Sequence, residues 1–234
     1  HFGEEIATKV NPLKLPPIDI PQAIERIRGH DNVSYTGIVL DITRGHGTTN
    51  TSPLIILKSI IDFMFLLGFN MLQLRIMNDM AFAVAFDAHP ELATIPVDDR
   101  YNTQTLKEIN EYAKQRGIMI MPEISLSTRA GGWVQAGYNT PCPITMCDES
   151  LKEFPSLSVN VNDATFLSVV SSVLYELKEV FGTGYLHLGY NDRADSMPCF
   201  EEANIRPAFD LFETKVELLL EFHGYDSHKV VRWE

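Results

Sequence analysis

Residues 117–124, GIMIMPEI, form a short apolar run that begins at Gly117 and closes on Pro122, Glu123 and an isoleucine. Such a run, bounded by a glycine, predicts a buried strand. The residues before it, 105–116 (TLKEINEYAKQR), carry apolar side chains at helical spacing. They predict an amphipathic helix that Gly117 ends. Together the two segments predict a helix that leads directly into a buried strand.

The same alternation of helix and strand continues on both sides of this unit. Four further strands are predicted at 35–43 (YTGIVLDIT), 70–77 (NMLQLRIM), 185–190 (YLHLGY) and 229–233 (KVVRW). Three further helices are predicted at 53–68, 163–181 and 206–224, the first with Ser52 as a candidate N-cap and proline in its first turn. Residues 125–161, rich in Gly, Pro, Thr and Ser, predict a long loop. Alternating strands and helices indicate a parallel sheet with crossover helices.

Charged or amide side chains follow the end of every predicted strand, which favours a barrel over an open sheet. They are Asp41 and Arg44, Asn78 and Asp79, Glu123, Asn191 and Asp192, and Glu234 after Trp233. The carboxyl ends of barrel strands converge on one mouth, whereas an open sheet more often shows a glycine-rich phosphate loop after its first strand. The sequence has no such loop. We therefore predict an α/β fold, a (β/α)8 TIM-type barrel of which about the first five units are present, with 1–34 as a lead-in and 35–234 as the incomplete barrel.

Composition restricts the partners that this chain is expected to bind. The 234 residues carry a formal net charge of −12, which disfavours nucleic acid and anionic membranes as main partners. The most apolar stretch, 53–69, is interrupted by Lys58 and Asp62 and is too short to predict a transmembrane segment. The three cysteines lie outside any CxxC or histidine cluster, so neither a metal site nor a cofactor is predicted.

Two sequence features favour an oxidising compartment. Asn32 and Asn50 each begin a glycosylation sequon, and the cysteine content allows one disulfide and a free thiol. We expect a glycoprotein that is secreted, lysosomal or otherwise lumenal.

Six segments resemble, in order and in one register, the motifs of family 20 glycoside hydrolases, the β-N-acetylhexosaminidases. They are 37–44 (GIVLDITR, similar to GxxxDxxR), 70–79 (NMLQLRIMND, the second-strand run with its paired aspartate), 89–92 (HPEL), 117–124 (the third-strand PEiD run), 185–192 (YLHLGYND, similar to HxGGDE) and 231–234 (VRWE). The resemblance implies a barrel and a terminal N-acetylhexosamine in a glycan as the ligand. It also implies that another chain or a further segment completes the barrel, because the family fold has eight strands.

The family's reaction is substrate-assisted, and the resemblance places its catalytic pair at Asn191 and Asp192. In the family a glutamate protonates the leaving oxygen, and the preceding aspartate orients the acetamido group that attacks the anomeric carbon. Here a neutral amide replaces the aspartate, a shorter acid replaces the glutamate, and Tyr190 stands where the family has glycine. Loss of a preorganised counter-charge typically costs several kcal/mol of barrier, and a misplacement of about 1 Å costs about a hundredfold.

Two functions from different classes follow. The first is a catalytically impaired hexosaminidase-like domain that serves as a structural or glycan-binding component of a larger assembly. The second is an active β-N-acetylhexosaminidase in which Asp192 is the general acid/base. An unrelated α/β barrel remains as a third alternative, which a strand order other than sequential would indicate.

The resemblance also assigns roles outside the catalytic pair. The family's HxH on the second strand is replaced by Gln73 and Arg75, and its third-strand histidine by Arg129. Positions that remain compatible with sugar binding are Arg44, Asp79, Glu123, His187 and Trp233. The resemblance to lysosomal members implies a disulfide between Cys142 and Cys199, with Cys147 free.

Each of these residues also has a purely structural interpretation. Arg44 fits an ion pair with Asp41 or Asp79, and Glu123 fits a structural role at a strand end. His187 fits a hydrogen-bonded core histidine, Trp233 fits core packing, and Asp192 fits a solvated strand-end carboxylate.

Overall fold

A computed structural model of the protein describes residues 34–44, 52–78, 80–126, 131–137, 164–182, 184–189 and 206–232. The main strands are β1 (Gly37–Asp41), β2 (Met71–Met77), β5 (Met119–Ile124), β6 (Leu186–His187) and β7 (Val230–Val231), and a separate pair is β3 (Val84–Ala85) and β4 (Tyr101–Asn102). The helices are α1 (Pro53–Leu66), α2 (Thr103–Lys114), α3 (Gly131–Gln135), α4 (Ala164–Phe181) and α5 (Arg206–Phe222).

The five main strands form one parallel sheet in the order β1-β2-β5-β6-β7. Neighbours in the sheet are therefore neighbours along the chain, apart from the small β3–β4 pair. Sequential parallel strands joined by helices are the arrangement of a TIM barrel, so the predicted fold class is confirmed. The strand order that would have indicated the third alternative, an unrelated barrel, is not found among the described strands.

The helices cover one face of this sheet and leave the other face uncovered. On β1, Ile38 and Leu40 pack against the core, whereas Val39 on the opposite face is 50% exposed. On β2, Leu72 and Leu74 are fully buried on the helical side. Because side chains alternate along a strand, odd-numbered residues of β1 and β2 share the face away from the helices.

The sheet is curved, as a barrel wall must be. Tyr35 precedes β1 and Tyr185 precedes β6, and these two strands are not neighbours in the sheet. Their rings nevertheless meet edge to face, with centroids 5.6 Å apart. The contact requires that β1 and β6 bend towards each other across the face that the helices leave uncovered. This concave face is the part of the barrel interior that the described strands enclose.

Buried polar groups tie the helical layer together. Asp62 on α1 accepts a hydrogen bond from Arg116 Nε at 2.5 Å and another from the Tyr112 hydroxyl at 2.8 Å. Burying a carboxylate is tolerated when it is paired in this way. Glu176 on α4 accepts bonds from two backbone N–H groups, at Asp87 and Ala88, which fixes the loop after β3 against the helix.

Several details differ from the expectations drawn from the sequence. Residues Gly131–Gln135 form a helix inside the segment that we expected to be entirely loop. Trp133 explains this, since its fully buried ring packs on Phe82 and Phe166 and its Nε1 donates to the Ser125 carbonyl at 2.8 Å. Ser52 precedes α1 as predicted, but its side chain makes no capping hydrogen bond.

Some predictions lie on residues outside the described ranges. They include the lead-in 1–34 except for its last residue, the proposed disulfide between Cys142 and Cys199, the free Cys147 and the sequon asparagines. The domain boundary at 34/35 stays a prediction. In the described part of the chain, no helix combines the length and the apolar character needed to cross a bilayer.

Candidate active site at the mouth of the barrel

One row of paired residues crosses all five main strands near their carboxyl ends. In the register of the sheet, Asp41 pairs with Arg75, Arg75 with Glu123, Glu123 with His187, and His187 with Val231. Residues paired in register point to the same face of a sheet. Four of the five are therefore polar or charged groups on the concave face. In barrel enzymes the carboxyl ends of the strands form the site.

Glu123 lies at the centre of this row and is almost completely buried, with 1% of its surface exposed. Its Oε2 accepts a hydrogen bond from Gln73 Nε2 at 2.7 Å, and its Oε1 accepts one from Arg75 Nε at 2.9 Å. Both donors come from the neighbouring strand β2, where they are two residues apart on the concave face. A buried carboxylate needs such partners, because water cannot solvate it.

Asp41 is anchored at the edge of the row by its own turn and by the next strand. Its Oδ1 accepts bonds from the Thr43 backbone N–H at 2.9 Å and from the Thr43 hydroxyl at 2.6 Å. Its Oδ2 accepts a bond from Asn78 Nδ2 at 2.6 Å. Arg44 Nε lies 3.8 Å from the same oxygen, and the Arg44 side chain is 74% exposed. An exposed ion pair of this length contributes little stability, so the Arg44 guanidinium can leave it for a ligand at small cost.

Asn78 connects the mouth to the buried helix α3. Its Oδ1 accepts a bond from the Met80 N–H at 2.7 Å, and its backbone carbonyl accepts one from the Gly132 N–H at 2.8 Å. Gly132 has no room for a larger residue, because a Cβ there would lie 2.8 Å from the Ala81 carbonyl oxygen. Asn78 is therefore held by its bonds to Met80 and Gly132, and it holds in turn the Asp41 carboxylate at the end of the row.

His187 is a buried histidine whose ring is held by the turn that follows β6. Its Nδ1 accepts a hydrogen bond from the Gly189 N–H at 3.0 Å, which assigns the ring proton to Nε2 in the neutral form. Burial lowers the pKa of His187, although the nearby Glu123 carboxylate opposes that change. Gly189 has a φ of +74°, and a Cβ there would lie 2.6 Å from Ser125 Oγ. Only glycine fits this turn, because it combines a left-handed backbone with a close approach.

The structure places Glu123 and His187 side by side in the row and Arg44 next to Asp41, and the sugar-binding role of these residues stays a prediction. Asp79, Asn191, Asp192 and Trp233 lie outside the described ranges, so their roles stay predictions. Across the parts of the chain that are described, no group of three or more His, Cys, Asp or Glu side chains could hold a metal ion.

Sequence reasoning missed the hydrogen bonds that three residues donate to carboxylates of the mouth. Gln73 and Arg75 counted only as departures from the family motif, and Asn78 only as one of the polar residues that follow a strand. Part of the signal was available, because Gln73 and Arg75 are two residues apart on one strand and share a face, and both can donate to a carboxylate. What the sequence lacked was the register between β2 and β5, which decides that they meet.

The sequential parallel strands and the polar row at their carboxyl ends define a partial TIM barrel with a site at its mouth. The comparisons with known proteins identify the class more closely. The family model "Glycosyl hydrolase family 20, catalytic domain" matches residues 33–208. The chain therefore belongs to glycosyl hydrolase family 20.

Individual relatives agree with this family. The chain is 25% identical over 234 residues to "Beta-hexosaminidase 3" of Arabidopsis thaliana, covering 95% of this chain and 41% of that relative. It is 26% identical over 159 residues to "Beta-hexosaminidase subunit beta" of Homo sapiens, covering 67% of this chain and 27% of that relative. The chain thus spans less than half the length of these relatives.

Solved structures show the same fold. A GH20 β-N-acetylhexosaminidase from Streptomyces coelicolor A3(2) superposes with a TM-score of 0.65 at 23% identity, over 86% of this chain and 40% of that one. A GH20 exo-β-N-acetylglucosaminidase from Vibrio harveyi in complex with N-acetylglucosamine superposes with a TM-score of 0.66 at 18% identity, over 86% of this chain and 35% of that one. At these identities the likeness supports the barrel alone.

Proposed function

We propose that this protein is a β-N-acetylhexosaminidase-like domain with impaired catalysis that acts as a glycan-binding or structural component. The observation that carries the proposal is the pair Asn191 and Asp192, which stands where the family has aspartate and glutamate. The intermediate of the substrate-assisted reaction is a cationic oxazolinium ring. A neutral amide gives that cation no counter-charge, and a shorter acid holds its proton further from the leaving oxygen.

The described part of the mouth supports this proposal. Arg75 and Gln73, which replace the family's second-strand histidines, both bind the buried Glu123. Gln73, Arg75 and Glu123 thus form one hydrogen-bonded network, and Asp41 is held separately by Asn78 and Thr43. Such a network stabilises the fold of the mouth and is not by itself arranged for proton transfer. Burial lowers the pKa of His187, which favours the neutral imidazole at this position.

Glycan binding remains supported, because the mouth keeps groups that can bind hydroxyl or acetamido oxygens. Arg44 is exposed at the rim and is only loosely paired with Asp41. The solved relative from Vibrio harveyi is in complex with N-acetylglucosamine. We therefore propose a terminal N-acetylhexosamine as the sugar, with Arg44, Asp79, Glu123, His187 and Trp233 as the residues around it.

The experiment that tests the proposal is turnover of an aryl N-acetylglucosaminide by the full-length protein. We expect no rate above the uncatalysed reaction, and no gain when Asn191→Asp and Asp192→Glu are combined, because Tyr190 and Arg129 still differ from the family. Turnover that Asp192→Ala abolishes would establish the second candidate function, an active β-N-acetylhexosaminidase with Asp192 as general acid/base. Sequence favours that alternative only in that Asp192 is still a carboxylic acid.

We further propose that additional polypeptide completes the barrel. Among the described strands, β1 and β7 are the two ends of the sheet, and unpaired edges invite aggregation. The helices next to these edges expose large apolar side chains, including Phe63 and Leu66 on α1 and Leu218 and Phe222 on α5, each at least 59% exposed. Hydrogen exchange on the full-length protein tests this: slow exchange in both edge strands supports a closed barrel, and fast exchange contradicts it.

The compartment and the covalent features belong to the same proposal. We propose a secreted, lysosomal or other lumenal glycoprotein with sugars at the sequons and a disulfide between Cys142 and Cys199. Peptide mapping of non-reduced protein should find these two cysteines joined and Cys147 as a free thiol. Finding both as thiols would remove the disulfide from the account.

A further inference from the structure

We propose that Arg75 makes the mouth of this barrel selective for a sugar that carries an anionic group, either a sulfate ester or a carboxylate. The inference rests on the proposed glycan binding and names the chemical class of the ligand. It concerns a residue that replaces a histidine of the family motif and that contributes a permanent positive charge to the concave face.

Arg75 is fixed in place by one edge of its guanidinium group. Its Nε donates to Glu123 Oε1 at 2.9 Å, and Glu123 is in turn held by Gln73 Nε2 at 2.7 Å. Glu123 and Gln73 are both buried, at 1% and 8% exposure, so the guanidinium is held by groups that are themselves packed and hydrogen-bonded. A guanidinium that is already oriented loses less conformational entropy when it binds a ligand.

The other edge of the same guanidinium is available. Within the described ranges, the terminal nitrogens Nη1 and Nη2 of Arg75 form no hydrogen bond, and the side chain keeps 25% of its surface exposed. Arg75 shares the concave face with Gln73, because the two are two residues apart on β2. The exposed part of Arg75 therefore faces the interior of the barrel, where a ligand of the mouth would lie.

The neighbouring carboxylates already have partners of their own. Glu123 binds Gln73 and Arg75, and Asp41 binds Asn78 and Thr43. Arg44 places a second guanidinium beside Asp41, with its side chain 74% exposed. Arg44 and Arg75 therefore both lie at the Asp41 end of the row and keep N–H groups with which to bind a ligand. A planar pair of N–H groups fits a carboxylate or sulfate bidentately, and charge-assisted bonds are roughly twice as strong as neutral ones.

Titration calorimetry on the full-length protein at low ionic strength tests the proposal with three probes. They are N-acetylglucosamine 6-sulfate and glucuronic acid as the two anionic arms, and N-acetylglucosamine as the neutral reference. We expect at least one anionic sugar to bind about tenfold more tightly than the neutral one. The arm that shows the gain identifies sulfate or carboxylate as the group. The gain should shrink as salt is raised.

Three variants separate recognition by Arg75 from general damage. Arg75→Gln should remove the preference, and Arg75→Lys, which keeps the charge and an ion pair with Glu123, should keep only part of it. Arg116→Gln is the matched control, because Arg116 Nε also binds a buried carboxylate, Asp62, but on the helical side of the sheet. It should lower stability and leave the preference unchanged.

The outcomes distinguish this inference from the proposed function. Equal affinity for neutral and anionic sugars overturns the role of Arg75 and leaves glycan binding standing. A preference that persists in folded Arg75→Gln and Arg75→Lys proteins also overturns it. Binding of none of the three sugars overturns glycan binding and this inference together.

Discussion

The Arg75–Glu123 pair at the centre of the mouth gives the sharpest prediction about stability. Changing Arg75→Met removes the donor at 2.9 Å from a carboxylate that is 1% exposed. Breaking a buried ion pair by removing one partner typically costs about 3–5 kcal/mol. Arg75 is itself one-quarter exposed and Gln73 still donates to Glu123, so we expect the smaller loss of about 2 kcal/mol in the free energy of unfolding.

A double variant separates the buried charge from the lost packing. In Arg75→Met with Glu123→Gln, the negative charge is gone and Gln73 can still hydrogen-bond to the new amide. Replacement of both charged partners is often close to neutral, so the double variant should lie within about 1 kcal/mol of the wild type. Urea unfolding followed by circular dichroism measures both values.

Two results would refute this reasoning. One is a single variant that loses less than about 0.5 kcal/mol, which is the range of ordinary surface substitutions. The other is a double variant as unstable as the single one, since the loss would then come from packing and not from an uncompensated charge.

Three further predictions concern the packing, the turn after β6 and the pH dependence. Asp62→Ala should lower the free energy of unfolding by about 3 kcal/mol, because the Asp62 carboxylate is buried and paired with Arg116. The control Glu108→Ala removes a partner of an exposed ion pair and should change it by less than about 0.5 kcal/mol. Equal losses for the two variants in urea unfolding would contradict this prediction. Gly182→Ala should lower the free energy of unfolding by roughly 1 kcal/mol, because alanine is strained in the left-handed backbone conformation. Gly189→Ala should lower it by clearly more, because its new Cβ would also lie 2.6 Å from Ser125 Oγ. Equal losses for the two variants in thermal unfolding would argue against this contact. Burial lowers the pKa of His187, so as pH falls the unfolded chain takes up the proton before the folded protein does. The stability that this group contributes is therefore present above about pH 6.5 and is lost below it. The free energy of unfolding of His187→Asn should depend less on pH between roughly pH 7 and 5, and a pH dependence equal to that of the wild type would count against a buried neutral imidazole.

The main strands and helices could be predicted from the sequence because local signals mark them. The run from Met119 to Ile124 is apolar and follows a glycine-terminated amphipathic helix, and the structure places a strand and a helix there. The start of that helix was predicted at Thr105, two residues late, because the N-cap was not recognised. Asn102 is this N-cap, and its side chain accepts a hydrogen bond from the Thr105 N–H at 2.8 Å. The short pair β3–β4 carried no such signal, since two-residue strands have no periodicity to detect.

The site could be predicted only in outline. That polar residues after successive strands converge at one mouth follows from the topology alone. Which of them bind each other depends on register, and a shift of one residue would have turned Arg75 away from Glu123. The helix that contains Trp133 was missed for a related reason. Its glycine-rich sequence predicts a loop, and burial of the indole against distant aromatic rings overrides that local preference.

The central claim is that the family's catalytic pair, as Asn191 and Asp192, no longer stabilises a cationic sugar intermediate. The most direct test is titration of the full-length protein with the thiazoline analogue of that intermediate, compared with N-acetylglucosamine. An enzyme built for the reaction binds such analogues at least about a hundredfold more tightly than an ordinary ligand. We predict affinities for the two compounds that agree within about tenfold, because neutral Asn191 stands where the family has an aspartate. A preference for the thiazoline of about a hundredfold or more would contradict the account and identify a working active site.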